Sequence, residues 1–158
     1  MKTKYQIEVQ KVICVEMKII SHRGNINGRD PDEENCPNRV IKAIDAGFDV
    51  EVDVWWWNNG LWLGHDEPVF GLPETFLDEI KDYAWLHCKN LEMVQRLMGA
   101  DYHWFWHEED KVTLTSKGYV WCFPGYEVEG GIMVDHGQDV QPEINIAGVC
   151  TDDPMSWR

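Results

Sequence analysis

At 158 residues the chain suits one domain with one core, and a 44% hydrophobic content is too high for a disordered segment. Its 28 acidic and 14 basic side chains give a formal net charge of -14, a field that repels nucleic acid, and no basic run offsets it. No stretch is long and apolar enough to span a membrane, and the five cysteines (Cys14, Cys36, Cys88, Cys122, Cys150) are odd in number without C-x-x-C spacing, which argues for reduced thiols in a cytoplasmic protein rather than a disulfide framework or a zinc ribbon.

Residues 1–16 lack a continuous apolar run and a small-residue cleavage site. They read as an added arm ahead of a single domain over 17–158. Met17–Ser21 reads as a short buried strand, followed by a loop rich in Gly, Asn and Asp. From about Pro37 to Ala46, Val40, Ile41 and Ile44 fall at helical spacing, with Gly47 at the helix C-terminus. Phe48–Trp55 alternates strictly: Phe48, Val50, Val52 and Val54 share one face, and Asp49, Glu51 and Asp53 share the other. Asn59-Gly60 predicts a hairpin turn between two Trp-rich arms. A short helix is expected over 74–82 and a strand over Ala84–Lys89. Asn90 is placed to cap a helix running to Met98, with Leu91, Val94, Leu97 and Met98 on one face. Four further strands are expected at 102–107, 119–123, 131–135 and 146–151. The strand–helix alternation of the first half predicts parallel βα units.

Glu51 and Asp53 project from the same strand face, where two carboxylates repel unless a cation lies between them. Oxygen donors favour Mg²⁺, Ca²⁺ or Mn²⁺ over zinc. An acidic solvent face on an antiparallel strand would show the same alternation. His22-Arg23-Gly24 follows the first strand directly, and Gly64-His65-Asp66 stands at the return of the hairpin. His87 and Lys89 share a strand face, and an inward lysine is costly unless it meets an anion.

The ordered runs HRG (22–24), EN (34–35), AIDAGFDVEVDV (43–54) and GHDEP (64–68) resemble the glycerophosphodiester phosphodiesterase family. LHCKN (86–90) falls where that family has an E-x-K strand, and GVCTDDP (148–154) looks like its closing T-D-x-P. The resemblance implies an α/β, TIM-type (β/α) barrel that hydrolyses a small phosphodiester, most often a glycerophosphodiester, to an alcohol and a phosphomonoester. It implies one divalent cation, Mg²⁺ or Ca²⁺ with Mn²⁺ as an alternative, held by Glu51, Asp53 and His87. It also implies His22 and His65 as general acid and base, Arg23 and Lys89 on the phosphate, and Glu34 as a supporting carboxylate. Related sphingomyelinase D-type phospholipases make lysophospholipid cleavage a second reading. A third is a degenerate barrel that binds phosphate or metal without turnover.

Two departures stand out. His87 occupies a position where the family carries an acid, which predicts weaker Mg²⁺ binding and a shift toward Mn²⁺. The chain is also short for such a barrel. The expectation is therefore a shortened barrel whose helices thin out in the second half. Trp104, Trp106 and Trp121 are ordinary core by the commoner use of tryptophan, or else they cover bare strands or form a subunit contact.

Overall fold

The computed structural model describes residues 16–137 and 141–158. The expected arm at 1–16 therefore lies outside the described residues, except for Glu16. The strands are β1 (Lys18–His22), β2 (Asp49–Trp57), β3 (Gly60–Leu63), β4 (Phe70–Leu72), β5 (Ala84–Cys88), β6 (Trp104–Phe105), β7 (Val112–Leu114), β8 (Val120–Cys122), β9 (Ile132–Asp135) and β10 (Gly148–Thr151). The helices are α1 (Pro37–Asp45), α2 (Thr75–Ile80) and α3 (Leu91–Leu97), with a 3₁₀ turn at Pro154–Trp157.

One mixed sheet of ten strands curls into a half-barrel. Its parallel strands run in the order β6-β5-β2-β1-β10-β9-β8. β3, β4 and β7 are antiparallel additions. This corrects the expectation of a TIM-type barrel. Three short helices cannot form an outer ring, and among the described residues no ladder joins β6 to β7 or β8. The reason is local: the connections after β6 are rich in Gly, Pro and charge and carry no helical periodicity, so among the described residues no α-helix follows these strands. Leu114 on the uncovered outer face is 67% exposed.

Two apolar layers sandwich the sheet. On the outer face Val50, Val52 and Val54 pack with Leu86 and Cys88 beneath Val40, Ala43, Phe76, Ile80, Met93 and Leu97 of the helices. On the inner face Ile20, Trp85, Phe105, Trp121, Ile132, Val134 and Cys150 form a second cluster. Phe105 and Trp121 stack with centroids 4.5 Å apart, joining the two sides of the curl by side chains where no backbone ladder does. Trp121 is thus an inner-core residue and covers no bare strand, Trp104 packs on the outer cluster, and Trp106 is exposed.

Local details differ from the sequence reading in two further places. The β2–β3 hairpin turns at Asn58-Asn59, both with positive φ (48° and 57°), and Gly60 opens β3 opposite Trp57. Consecutive positive φ values match the twist of the strands, and Asn tolerates them. On α3 the buried residues are Met93 and Leu97, while Leu91 and Met98 are exposed. The Asn90 cap is present, with its side chain accepting from Met93 N at 3.2 Å.

Candidate functional site

Strand alternation aims every second side chain into the curl, so the C-terminal ends of the parallel strands deliver their inward residues to a common floor. β1 supplies His22, β2 supplies Glu51 and Asp53, β5 supplies His87 with Lys89 just beyond it, and the hairpin return brings His65. His22, Arg23, Glu51, His65 and His87 line one cavity of about 250 Å³, together with His107, Trp121, Phe123 and His136. Lys89 stands behind its wall, with Nζ 3.3 Å from His65 Nδ1 and 3.6 Å from Asp53 Oδ1. The structure thus brings together all eight residues singled out from the sequence, Glu34 included.

Glycines shape both turns that carry histidines. Gly24 has φ +84°, and a Cβ there would lie 3.1 Å from the α1 backbone at Arg39 and Val40. A Cβ on Gly64 would lie 2.0 Å from Glu67 O, which no side chain can relieve. Arg23 and Asn35 themselves take positive φ (54° and 61°), and Asn35 N donates to Arg23 O at 2.9 Å, tying the two strained residues together.

Asp53 is the electrostatic centre and is fully buried. Asn35 holds it twice: Asn35 Nδ2 donates to Asp53 Oδ2 at 2.9 Å, and Asp53 N donates to Asn35 Oδ1 at 2.9 Å. Arg23 Nε approaches Oδ2 at 3.0 Å and His87 Nδ1 approaches Oδ1 at 3.0 Å. Burial would raise the Asp53 pKa, but the His65 and His87 imidazoles and the Arg23 charge outweigh it and hold it well below the ordinary carboxylate range. Burial likewise lowers His87, yet Asp53 and Glu51 overcome that and push it up to about 9. Glu34 accepts from Arg23 Nη1 at 2.9 Å. Burial raises the Glu34 carboxyl, and the Arg23 bond and charge more than reverse this, so it is lowered.

The two imidazoles are held differently. His22 Nδ1 lies 2.8 Å from Asp152 Oδ1, and Asn25 Nδ2 donates to the same oxygen at 2.9 Å. A carboxylate only accepts, so Nδ1 carries the hydrogen and Nε2 is left toward Glu51 Oε2, 3.9 Å away. His65 is more open. Its Nε2 lies 3.3 Å from Arg23 Nη2, and its Nδ1 lies 3.3 Å from Lys89 Nζ and 3.4 Å from Asp53 Oδ2, so cationic donors flank the ring on both sides.

Glu51, Asp53 and His87 present ligand atoms within 4.8 Å of one another. Glu51 Oε2 and Asp53 Oδ1 are buried and accept no hydrogen bond. The 3.0 Å approach of His87 Nδ1 to Oδ1 is an ion-pair contact off hydrogen-bond geometry. Two carboxylate oxygens left with unused lone pairs beside an imidazole fit a divalent cation.

Asn25, Asn35, His107, His136 and Asp152 escaped the sequence reading as site residues. His136 is in phase with Ile132 and Val134, and His107 with Phe105, so alternation would have found them once their strands were anchored. Asp152 stands inside the T-D-D-P run already noted. His107 stacks on His87, centroids 4.6 Å apart and nearly coplanar at 2°.

No protein-family model matches the chain, and no curated protein or solved structure does either. Among the described residues no helix is long and apolar enough to cross a membrane.

Proposed function

We propose that the chain hydrolyses a small phosphodiester in the cavity above Glu51 and Asp53. The observation that carries this reading is the convergence of two imidazoles, His22 and His65, with Arg23 between them over a buried carboxylate pair, in one cavity of about 250 Å³. That volume suits a headgroup-sized diester. The short motifs that resemble glycerophosphodiester phosphodiesterases point to a glycerophosphodiester.

The chemistry follows from the parts. A phosphodiester has a poor alkoxide leaving group, so one group must activate water while another protonates the departing oxygen. His22 presents Nε2 as the base, and Asp152 behind Nδ1 stabilises the imidazolium formed when it takes the water proton. His65 serves as the acid that protonates the leaving oxygen. Arg23 lines the cavity against His65 and offers hydrogen bonds to the non-bridging oxygens, while Lys89, behind the wall, adds positive charge. A divalent cation held by Glu51, Asp53 and His87 would add positive charge for the same oxygens. These local positive charges draw an anion into a strongly acidic protein.

The test is release of alcohol from glycerophosphodiesters and from an aryl phosphodiester, with and without chelator. His22→Ala and His65→Ala should each cut turnover by about 100-fold or more. Undiminished turnover in either variant, or in excess chelator, refutes the reading.

A further inference from the structure

We propose that His22, His136 and Asp152 form a second cation site, suited to a borderline transition ion such as Zn²⁺ or Co²⁺ and separate from the Glu51–Asp53–His87 group. Three neighbouring strands deliver these residues in a row. The ladders pair Ser21 with Thr151 and Thr151 with Asp135, so His22, Asp152 and His136 are the next residues along β1, β10 and β9. Their inward alternation turns all three toward the same end of the curl.

The distances fit a coordination sphere. One ligand atom from each residue lies within 4.8 Å of the other two. His22 Nδ1 and Asp152 Oδ1 share a hydrogen at 2.8 Å, which an ion bound between them would displace, and the His22 and His136 rings have centroids 6.0 Å apart. His22 and Asp152 are buried, whereas His136 is exposed and lines the cavity with His22. The row is thus fixed at two points and open at the third, so an ion can enter from the cavity and keep water in its remaining position.

The donor set separates the two sites. Two imidazoles and one carboxylate favour Zn²⁺ or Co²⁺, while two carboxylates and one imidazole accept harder ions. The consequence for activity rests on the hydrolytic reading above. An ion at this second site occupies His22 and removes it from proton transfer, so Zn²⁺ inhibits an enzyme that Mg²⁺ or Mn²⁺ supports.

Cobalt titration tests the site without any assay of turnover. Co²⁺ is added to the full chain, to His136→Ala and to His22→Ala, with the visible absorption of the bound ion followed and stoichiometry read by equilibrium dialysis. Each variant should bind one equivalent fewer than the wild type and lose the same absorption bands. His136 is exposed, so its variant should keep the native circular dichroism, which is checked alongside. Unchanged stoichiometry and spectrum in His136→Ala, or no Co²⁺ bound by the wild type at millimolar concentration, overturns the proposal. In the hydrolysis assay, His136→Ala should need at least tenfold more Zn²⁺ for half-inhibition. Because the titration stands apart from that assay, a chain that binds Co²⁺ as described yet hydrolyses nothing would refute the proposed activity and leave the site standing.

Discussion

His22 Nδ1 meets Asp152 Oδ1 at 2.8 Å, a contact between residues 130 positions apart in the chain. It fixes the tautomer of the imidazole that faces Glu51 and leaves Nε2 as its basic nitrogen. Asp152→Asn keeps the shape and removes the charge, and an amide that donates would favour the wrong tautomer. Turnover should fall by about 100-fold or more, while the unfolding free energy changes by about 1–3 kcal/mol. Steady-state kinetics and urea unfolding read the two effects separately.

Asn35 makes two hydrogen bonds to Asp53, one to its carboxylate and one from its backbone N–H. Asn35→Ala leaves the buried Asp53 amide unpaired and its Oδ2 with only the ion-pair contacts to Arg23 and His65. A loss of about 2–4 kcal/mol is expected from two such groups, measured by denaturant unfolding. A Leu at the same position should be no milder, because packing does not replace the lost donor.

His87 makes one ligand of the proposed cation site an imidazole. Mn²⁺ should bind more tightly than Mg²⁺ in the wild type, and His87→Glu should shift the ratio at least tenfold toward Mg²⁺. Calorimetric titration of both ions decides this. Tight Mg²⁺ binding that His87→Ala leaves unaltered would contradict it.

His103 lies at the other end of the curl, its ring tilted 41° against Trp85 with centroids 3.9 Å apart and hydrogen-bonded to Thr115 Oγ1 at 2.8 Å. Burial lowers its pKa from 6.5 to about 4, and the charges of Lys117 and Lys18 add to the effect. Between those values the unfolded chain binds the proton and the folded chain does not. Stability should therefore fall as pH drops from 6.5 toward about 4 and level off below that. His103→Gln removes this titration, so urea midpoints across the window should fall less steeply in the variant.

Phe105 is 1% exposed and stacks on both Trp121 and His87, at 4.5 Å and 4.9 Å. It holds the two sides of the curl together where no ladder does. Phe105→Ala should cost about 3–5 kcal/mol, read as a lowered unfolding midpoint. The cavity it opens borders His87, so cation affinity should fall with it.

Much of the molecule was legible in the chain itself because the signals were local. The alternation over 48–55 placed Glu51 and Asp53 on one face whatever the strand paired with, since successive side chains point to opposite sides of any sheet. Asn90 announced its cap in the same way. Tertiary structure decided the rest. The thinning of helices after β6 was legible, since those connections carry no helical periodicity, but the half-barrel was not, because it depends on which strand edges pair. His136 and Asp152 reached His22 only through the pairing of β1, β10 and β9. Such pairing depends on which distant backbone groups exchange hydrogen bonds and on how two apolar faces close over them, and neither is written in any short stretch of sequence.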